Sequence, residues 1–393
     1  MKKLFSFFLL ILSGLFVLGQ STSSSPKGAI LVDTHNDFFS KCVEQNLPFD
    51  AHLKGKTHSD LQRMLLGGVN VEIFSIFCDD HYGKGTAFAY ANREIDSVYA
   101  VARRNPNKMT VVSSPAALLQ AVQQHKLAAM MGVEGGHMIE DDLVKLDSFY
   151  KRGVRYMTLT WNNSTSWATS ARDESAHAFI TTPYGLTAFG KQIVKRMNDL
   201  GMMIDISHVG EQTFWNVIRT TSKPIIASHS SVYALCPVFR NLKDDQIKAI
   251  AKNGGVVQIN FYSGFLDSNY EKRLKAFLNL HKNEYDSLKG KKLSDYSIDM
   301  FFSTKYHQDF QNLRPPLSLL IDHIDYIVKL VGVDYVGLGS DFDGIESAPK
   351  ELDGVEDFPK IAQALLHKGY NRKDIERILG GNLIRVFKAN SNK

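Results

Sequence analysis

Eight short apolar runs, separated by longer segments of helical character, constrain this chain more than any other feature. The runs are Ala29–Val32, Val69–Phe77, Ala128–Val133, Val154–Leu159, Met202–Ile206, Pro224–Ala227, Gly255–Ile259 and Tyr335–Leu338. Strands that alternate with helices form a parallel sheet, because parallel strands need crossover connections. Eight such units predict an α/β fold closed into a (β/α)8 barrel of the TIM type.

The segments between the runs contain clear helix patterns. Apolar residues recur at spacings of three and four in Leu186–Leu200 and in Leu317–Val331, which predicts a helix in each. Gly201 follows the first as a helix stop. Leu266–Pro316 is long, polar and outside the repeat, so we expect an inserted helical excursion near the barrel mouth. The chain from Phe358 onward predicts C-terminal helices.

The first 20 residues predict a segment that lies outside the fold. Lys2 and Lys3 precede an uncharged, mostly apolar run over Leu4–Leu18, and Gly19 follows it. This order is typical of a secretory signal peptide, and the run is shorter than the about 20 residues of a spanning helix. We therefore expect a signal peptide over residues 1–20, a single barrel domain over 21–393, and export to the periplasm or exterior of a bacterial cell.

Composition argues against several other classes of protein. The net charge is only +5, and no run of Lys and Arg indicates a nucleic-acid partner. Cys42, Cys78 and Cys236 are too few and too far apart for a disulfide framework or a thiolate zinc site. No stretch after the first 20 residues is long and apolar enough to span a membrane, so we expect a soluble protein with no stable membrane anchor after signal cleavage.

Potential metal ligands stand where predicted strands end. His35 and Asp37 follow the first run, Glu134 the third, His208 the fifth and His229 the sixth. A barrel gathers the carboxyl ends of its strands at one face. Imidazole and carboxylate suit zinc, and this set is too large for one tetrahedral ion. It predicts two Zn²⁺ ions per chain, bridged by Glu134 and by a water or hydroxide.

Structural alternatives exist for each candidate residue. Glu134 could form a buried ion pair, a lone strand-end His could be a hydrogen-bonded core residue, and Arg240 could lie on the surface. Asp341 could be a turn residue, although at a barrel mouth it could act as general base and then acid. Asp343 fits the turn role better. In a functional site Arg240 could hold a substrate carboxylate through two hydrogen bonds.

The other histidines receive no role in the site. His137 follows two glycines near the expected barrel mouth, and its role stays open. The rest are expected in solvated helices or loops: His52, His58, His81, His125, His177, His281, His307, His323 and His367.

Taken together, these motifs resemble the renal, or membrane, dipeptidase family. The matching segments follow the family's order over almost the whole mature chain: Asp33–Asp37, Gly132–Gly136, Tyr156–Thr160, Ile204–Val209, Ser228–Ser231, Arg240-Asn241, Asn260–Tyr262 and Gly339–Gly344. The resemblance implies a barrel of the metal-dependent amidohydrolase type, usually a homodimer.

The resemblance also implies roles for individual residues. One zinc ion would be held by His35, Asp37 and Glu134, and the other by Glu134, His208 and His229. Asp341 would handle protons at the bridging hydroxide, so Asp341 and Glu134 are the predicted catalytic residues. Arg240 would pair with the C-terminal carboxylate of the substrate, and the predicted substrate-binding residues are Arg240, Tyr262, Trp161 and Asn162.

The sequence departs from the family's pattern at several points. Trp161 stands where the family often has a His thought to contact the substrate near the reacting carbonyl. Trp cannot ligate a metal, although its indole N–H can donate a hydrogen bond. Either Trp161, Asn162 or Asn163 supplies that contact, or the substrate range differs. Cys78 and Cys236 match cysteines of the mammalian enzymes but lack their disulfide partners. No hydrophobic tail follows Leu383, so no lipid anchor is expected.

The predicted function is zinc-dependent hydrolysis of dipeptides by a metal-bridging hydroxide, including dipeptides with a D-residue or Gly at the C-terminal side. One alternative, kept open by Trp161, is a related binuclear amidohydrolase acting on N-acyl amino acids, lactams or cyclic amides. Another is a catalytically inactive binding protein of the same fold, which would not need the base Asp341. A structural metal site fits poorly, since such sites usually have four ligands.

Overall fold

A computed structural model of the chain describes residues 28–177, 184–291, 293 and 295–392. The predicted signal peptide over residues 1–20 lies outside the described residues. Within them the strands are β1 Val32–Asn36, β2 Val71–Phe77, β3 Met109–Val111, β4 Leu127–Glu134, β5 Val154–Thr158, β6 Met203–Asp205, β7 Ile226–Ala227, β8 Val256–Ile259 and β9 Val336–Leu338.

The strands form the predicted parallel barrel. Their order is β1-β2-β4-β5-β6-β7-β8-β9, and every neighbouring pair is parallel. The ring is nearly closed between its first and last strands, where the Asp37 N–H donates to the Phe342 carbonyl over 2.9 Å. The short strand β3 pairs with β4 outside this path, and the sequence patterns did not predict it. The (β/α)8 architecture is therefore confirmed.

The first strand is displaced from its predicted position. Ala29–Val32 was the expected run, whereas β1 begins at Val32 and continues through Asp33, Thr34 and His35 to Asn36. These polar residues are fully buried. They have hydrogen-bond partners in the fold: the Asp33 carboxylate, for example, accepts from the backbone N–H of Ser340, just after the neighbouring strand β9, over 2.7 Å. A strand whose buried residues are polar has no apolar periodicity to reveal it.

Helices surround the ring. They are α1 Phe38–Gln45, α2 Leu61–Leu66, α3 Ala87–Arg104, α4 Pro115–Gln123, α5 Leu143–Lys151, α6 Ala171–Ser175, α7 Ala188–Leu200, α8 Glu211–Thr220, α9 Asp244–Lys252, α10 Ser263–Leu266, α11 Tyr270–Leu280, α12 Lys282–Gly290, α13 Asp295–Lys305, α14 His307–Leu313, α15 Leu317–Val331, α16 Phe358–His367, α17 Arg372–Glu376 and α18 Asn382–Asn390. The helix predicted over Leu317–Val331 has these bounds, whereas the one predicted over Leu186–Leu200 begins at Ala188. Gly201 ends α7 in the left-handed region, at φ 83°, as a C-terminal glycine does.

The predicted excursion consists of α11 to α14, between β8 and α15. It has an apolar cluster of its own, which includes Phe277, Phe302 and Phe310. The Tyr262 hydroxyl, just after β8, donates to Glu271 of α11 over 3.0 Å. This contact attaches the excursion to the end of the barrel where the strand carboxyl ends meet. At the opposite end, residues of α18 share an apolar cluster with inward-facing strand residues such as Val71 and Val256.

Among the described residues, no helix has both the length and the apolar composition that crossing a membrane requires.

Candidate active site and metal centre

The five predicted metal ligands converge at the carboxyl ends of the strands. His35 Nε2 lies 3.3 Å from one Glu134 carboxylate oxygen and 3.6 Å from Asp37 Oδ2. The other Glu134 oxygen lies 2.9 Å from His208 Nε2 and 3.5 Å from His229 Nε2. Glu134 thus presents one oxygen to each half of the cluster, the arrangement that a bridging carboxylate needs.

In each of the three imidazoles the nitrogen that faces away from Glu134 is Nδ1. Each Nδ1 has a hydrogen-bond partner that determines which ring nitrogen carries the proton. His35 Nδ1 is 2.8 Å from the Tyr156 hydroxyl oxygen, and that hydroxyl donates to the Thr34 carbonyl over 3.2 Å. His208 Nδ1 is 3.1 Å from the Asn162 amide oxygen. In both pairs the neighbouring oxygen accepts, so the ring nitrogen Nδ1 carries the proton and donates it.

His229 follows the same rule through a longer relay. Its Nδ1 is 2.7 Å from the Ser228 hydroxyl, which donates to Asp205 Oδ2 over 2.6 Å. Such partners behind an imidazole orient its other nitrogen toward a metal. The Nε2 atoms of His208 and His229 are only 2.9 Å apart. Two bare lone pairs at this distance repel each other unless a cation lies beside them, so the donor set fits a metal centre.

The electrostatics of the cluster also favour a cation. Burial raises the pKa of Asp37 well above its ordinary value, and the nearby carboxylates of Glu134 and Asp341 add to this effect. Burial alone would lower the pKa of His35, but the carboxylates of Asp37 and Glu134 outweigh it and raise the pKa to about 10. Burial, with the Arg240 charge, lowers the pKa of His208 to about 4. The ionised form of Asp37 is therefore destabilised even with the charge of His35 beside it, and a bound cation would offset this cost.

Asp341 adjoins this cluster, whereas Asp343 does not. Asp341 stands in the left-handed region at φ 62°, and the Asn260 amide donates to its Oδ2 over 2.8 Å. The Asp343 carboxylate instead accepts from the backbone N–H groups of His58 and Ser59, over 2.8 and 3.1 Å. Asp343 thus holds a loop together, as expected for a turn residue, whereas Asp341 lies beside Asp37 and lines the cavity.

Arg240 is 5% exposed and has few good partners. Its Nη1 donates to the Ser230 hydroxyl over 3.4 Å and its Nη2 to the His229 carbonyl over 3.3 Å, both long contacts. Among the described residues, nothing accepts from its Nε. Burial lowers the pKa of Arg240 to about 10. A buried guanidinium with spare donors is suited to an anionic ligand.

The predicted catalytic and substrate-binding residues share one cavity of about 560 Å³. Asp37 and Glu134 form part of its floor. Its walls carry Arg240 and the other three residues predicted to bind substrate: Trp161, Asn162 and Tyr262. The structure therefore brings together every residue that the sequence placed in the site.

Sequence reasoning missed the residues behind the ligands. Tyr156, Asp205, Ser228 and Asn260 had been noted only as parts of motifs, with no role. All four lie on the inner face of the barrel or just beyond a strand, and the two-residue alternation of a strand could have indicated this for Tyr156.

His323 was expected in solvent but is fully buried, with Nδ1 accepting from the Val232 N–H over 3.1 Å.

Gly132 on β4 makes room for the side chain that holds His35. A Cβ at this position would lie 2.1 Å from Tyr156 Cζ. We expect Gly132→Ala to lower the free energy of unfolding by about 1–3 kcal/mol, since overpacking displaces the ring. Urea unfolding measures this, with Gly290→Ala as the control, because nothing lies within 4 Å of a Cβ there. Equal midpoints for the two variants would show that Tyr156 can move without cost.

Comparison with known proteins finds a family model and relatives that match most of this chain. The family model described as membrane dipeptidase (peptidase family M19) matches residues 25–393. Dipeptidase 3 of Mus musculus is 31% identical over 362 residues, and that of Homo sapiens is 30% identical. Each alignment covers 91% of this chain but 64% of the relative, so the chain spans less than two thirds of these relatives.

Solved structures of low sequence identity share the fold. A metallopeptidase from Rhodobacter sphaeroides, liganded with a phosphinate mimic of the dipeptide L-Ala-D-Ala, has a TM-score of 0.75 at 22% identity, covering 92% of this chain and 100% of that chain. Dipeptidase AC, a metallopeptidase of family M19, has a TM-score of 0.75 at 23% identity, with coverage of 92% and 98%.

Proposed function

Since this chain belongs to the membrane dipeptidase family, peptidase family M19, we propose that it is a zinc-dependent dipeptidase. The observation that carries the proposal is the convergence of three imidazoles on the two oxygens of Glu134, with Asp37 and Asp341 beside them, on the floor of a cavity that also exposes Arg240. A binding protein would need the cavity and Arg240 but not this cluster of ligands and base.

His35, Asp37 and Glu134 would hold one zinc ion, and Glu134, His208 and His229 the other. Zinc bound there supplies acidified water and polarisation of the scissile carbonyl. Asp341 takes the proton from the attacking water and passes it to the leaving amine, as a general base and then acid. The Asn260 amide, 2.8 Å from Asp341 Oδ2, keeps one carboxylate oxygen in place so that the other faces the substrate.

Arg240 selects the substrate by its free carboxylate. Two parallel hydrogen bonds from the guanidinium would fix the C-terminal end of a dipeptide. Lys41 also lines the cavity, but its ammonium group pairs with Asp343 over 3.6 Å. We include dipeptides with a D-residue or Gly at the C-terminal side. The L-Ala-D-Ala mimic bound by the Rhodobacter metallopeptidase supports this range.

The test is release of amino acids from a panel of L,L-, L,D- and Xaa-Gly dipeptides by the zinc-loaded full chain. We expect hydrolysis that a chelator lowers at least about 10²-fold, because bound metal contributes several kcal/mol, and that added zinc restores. Xaa-Gly amides serve as matched controls, because they lack the carboxylate for Arg240 and should react poorly.

If no dipeptide is cleaved while two zinc ions are bound per chain, the dipeptidase assignment is wrong. The same preparation is then assayed with N-acyl amino acids, lactams and cyclic amides, the substrates of the alternative that Trp161 keeps open.

Export through residues 1–20, a single catalytic domain over 21–393 and a homodimeric state stay predictions. They follow from the sequence pattern and the family resemblance, and the proposed chemistry depends on none of them.

A further inference from the structure

One wall of the cavity is aromatic and takes no part in holding the metal ligands. The rings of Trp161 and Phe77 lie 5.0 Å apart between centroids, tilted by 59°. Both side chains are partly exposed and both line the cavity. An apolar surface left open beside a buried polar cluster is suited to an apolar part of a ligand.

The position of this wall follows from the order of strands. β2 is second and β7 sixth in the ring of eight, so their ends lie on opposite sides of the mouth. Phe77 is the last residue of β2, and Arg240 lies in the segment after β7. Trp161 follows β5, but its Cβ is 3.5 Å from where a Cβ on Gly135 would lie. The indole therefore extends over the end of β4 toward Phe77.

A bound dipeptide must cross this mouth. Its C-terminal carboxylate would lie at Arg240, and its scissile carbonyl at the cluster around Glu134, which ends β4. Its N-terminal residue then continues away from Arg240, toward the Trp161–Phe77 wall. The C-terminal side chain stays near Arg240, beside the Phe265 ring that the guanidinium covers at 5.3 Å.

We propose that Trp161 and Phe77 form the binding site for the N-terminal side chain, and that they make this enzyme select dipeptides whose N-terminal residue is aromatic or otherwise large and apolar. Aromatic pairs gain from edge or offset contacts in addition to the area they bury. The inference rests on the proposed function, because it assumes the orientation of a dipeptide between Arg240 and Glu134.

The experiment compares kcat/KM for Phe-Gly and Ala-Gly with the zinc-loaded full chain. We expect the wild type to favour Phe-Gly by about 10-fold or more, a ratio that an apolar pocket can provide. Trp161→Ala and Phe77→Ala should each bring the ratio close to one. Trp161→Phe, which keeps an aromatic surface, should retain most of it, whereas Trp161→His should lose it.

The substrates with the reversed residue order, Gly-Phe and Gly-Ala, give the internal control. Their ratio reports on the side of the cavity near Arg240, so Trp161→Ala should leave it unchanged. Phe239→Ala is the matched variant, because Phe239 lines the same cavity but lies next to Arg240 and is 48% exposed. It should leave the ratio of Phe-Gly to Ala-Gly as in the wild type.

Failure of the aromatic subsite and failure of the proposed dipeptidase function would give different results in these assays. If dipeptides are cleaved but the wild-type ratio is near one, or if Trp161→Ala leaves it unaltered, the aromatic subsite is wrong and the dipeptidase function stands. An equal fall of both ratios in Trp161→Ala would also overturn the subsite, since it indicates general damage to the site. If no dipeptide is cleaved at all, the proposed function fails and the subsite fails with it.

Discussion

An Asp341→Asn variant is expected to bind its full complement of zinc and to hydrolyse dipeptides about 10²–10⁴ times more slowly than the wild type, the contribution typical of a general acid–base group. The substitution keeps the shape of the side chain, and one amide oxygen can still accept from Asn260, which lies 2.8 Å from Asp341 Oδ2. It removes the carboxylate that would take a proton from water, so the loss should fall on kcat.

Metal content distinguishes this role from a direct role in metal binding. One oxygen of Asp341 lies within 4.8 Å of ligand atoms of both His35 and Asp37, so the residue is close enough to be a ligand itself. Elemental analysis and steady-state kinetics are measured on the same preparation. Asp286→Asn is the control, because the Asp286 side chain is half exposed and pairs with Lys282 on the surface over 2.8 Å. Unchanged turnover would exclude the proton-transfer role, and lost zinc would make Asp341 a ligand.

A Glu134→Gln variant is expected to lose metal as well as activity. Glu134 is the only residue assigned to both ions, and its two oxygens face different imidazoles, at 3.3 Å from His35 Nε2 and 2.9 Å from His208 Nε2. An amide offers one acceptor and no charge, so it cannot serve both halves of the cluster. We expect no more than one zinc ion per chain and a fall in kcat/KM of about 10³ or more, since metal catalysis contributes several kcal/mol.

Zinc titration and thermal unfolding check the Glu134 prediction. Bound metal stabilises the folded state by mass action, so zinc should raise the melting temperature of the wild type and have a smaller effect on Glu134→Gln. Glu211→Gln is the control, because Glu211 forms a surface ion pair with Lys243 over 2.7 Å. Two zinc ions bound tightly by the Glu134→Gln variant would contradict the bridging role.

The residues nearest the chemistry were accessible from the sequence because each stands within a few residues of the end of an apolar run. A barrel brings such positions to one face whatever the details of packing, so His208, His229 and Glu134 could be grouped without coordinates. His35 was identified by the same logic, although the strand that carries it begins later than predicted, at Val32.

The residues that orient the ligands were not accessible in this way. Tyr156 reaches His35 from across the barrel, over Gly132, and Asp205 acts on His229 through Ser228. Each contact depends on the register between strands and on the depth of a side chain in the ring. No local pattern in the sequence encodes these quantities.

The sequence by itself determined the alternation of strands and helices, the bounds of α15, and the end of the barrel that carries the polar residues. It did so because apolar periodicity and helix-stop residues act over a few neighbouring positions. Only the tertiary structure decided that Tyr156 lies behind His35 and that Trp161 packs on Phe77. Those outcomes depend on contacts between residues far apart in the chain, which closure of the ring fixes.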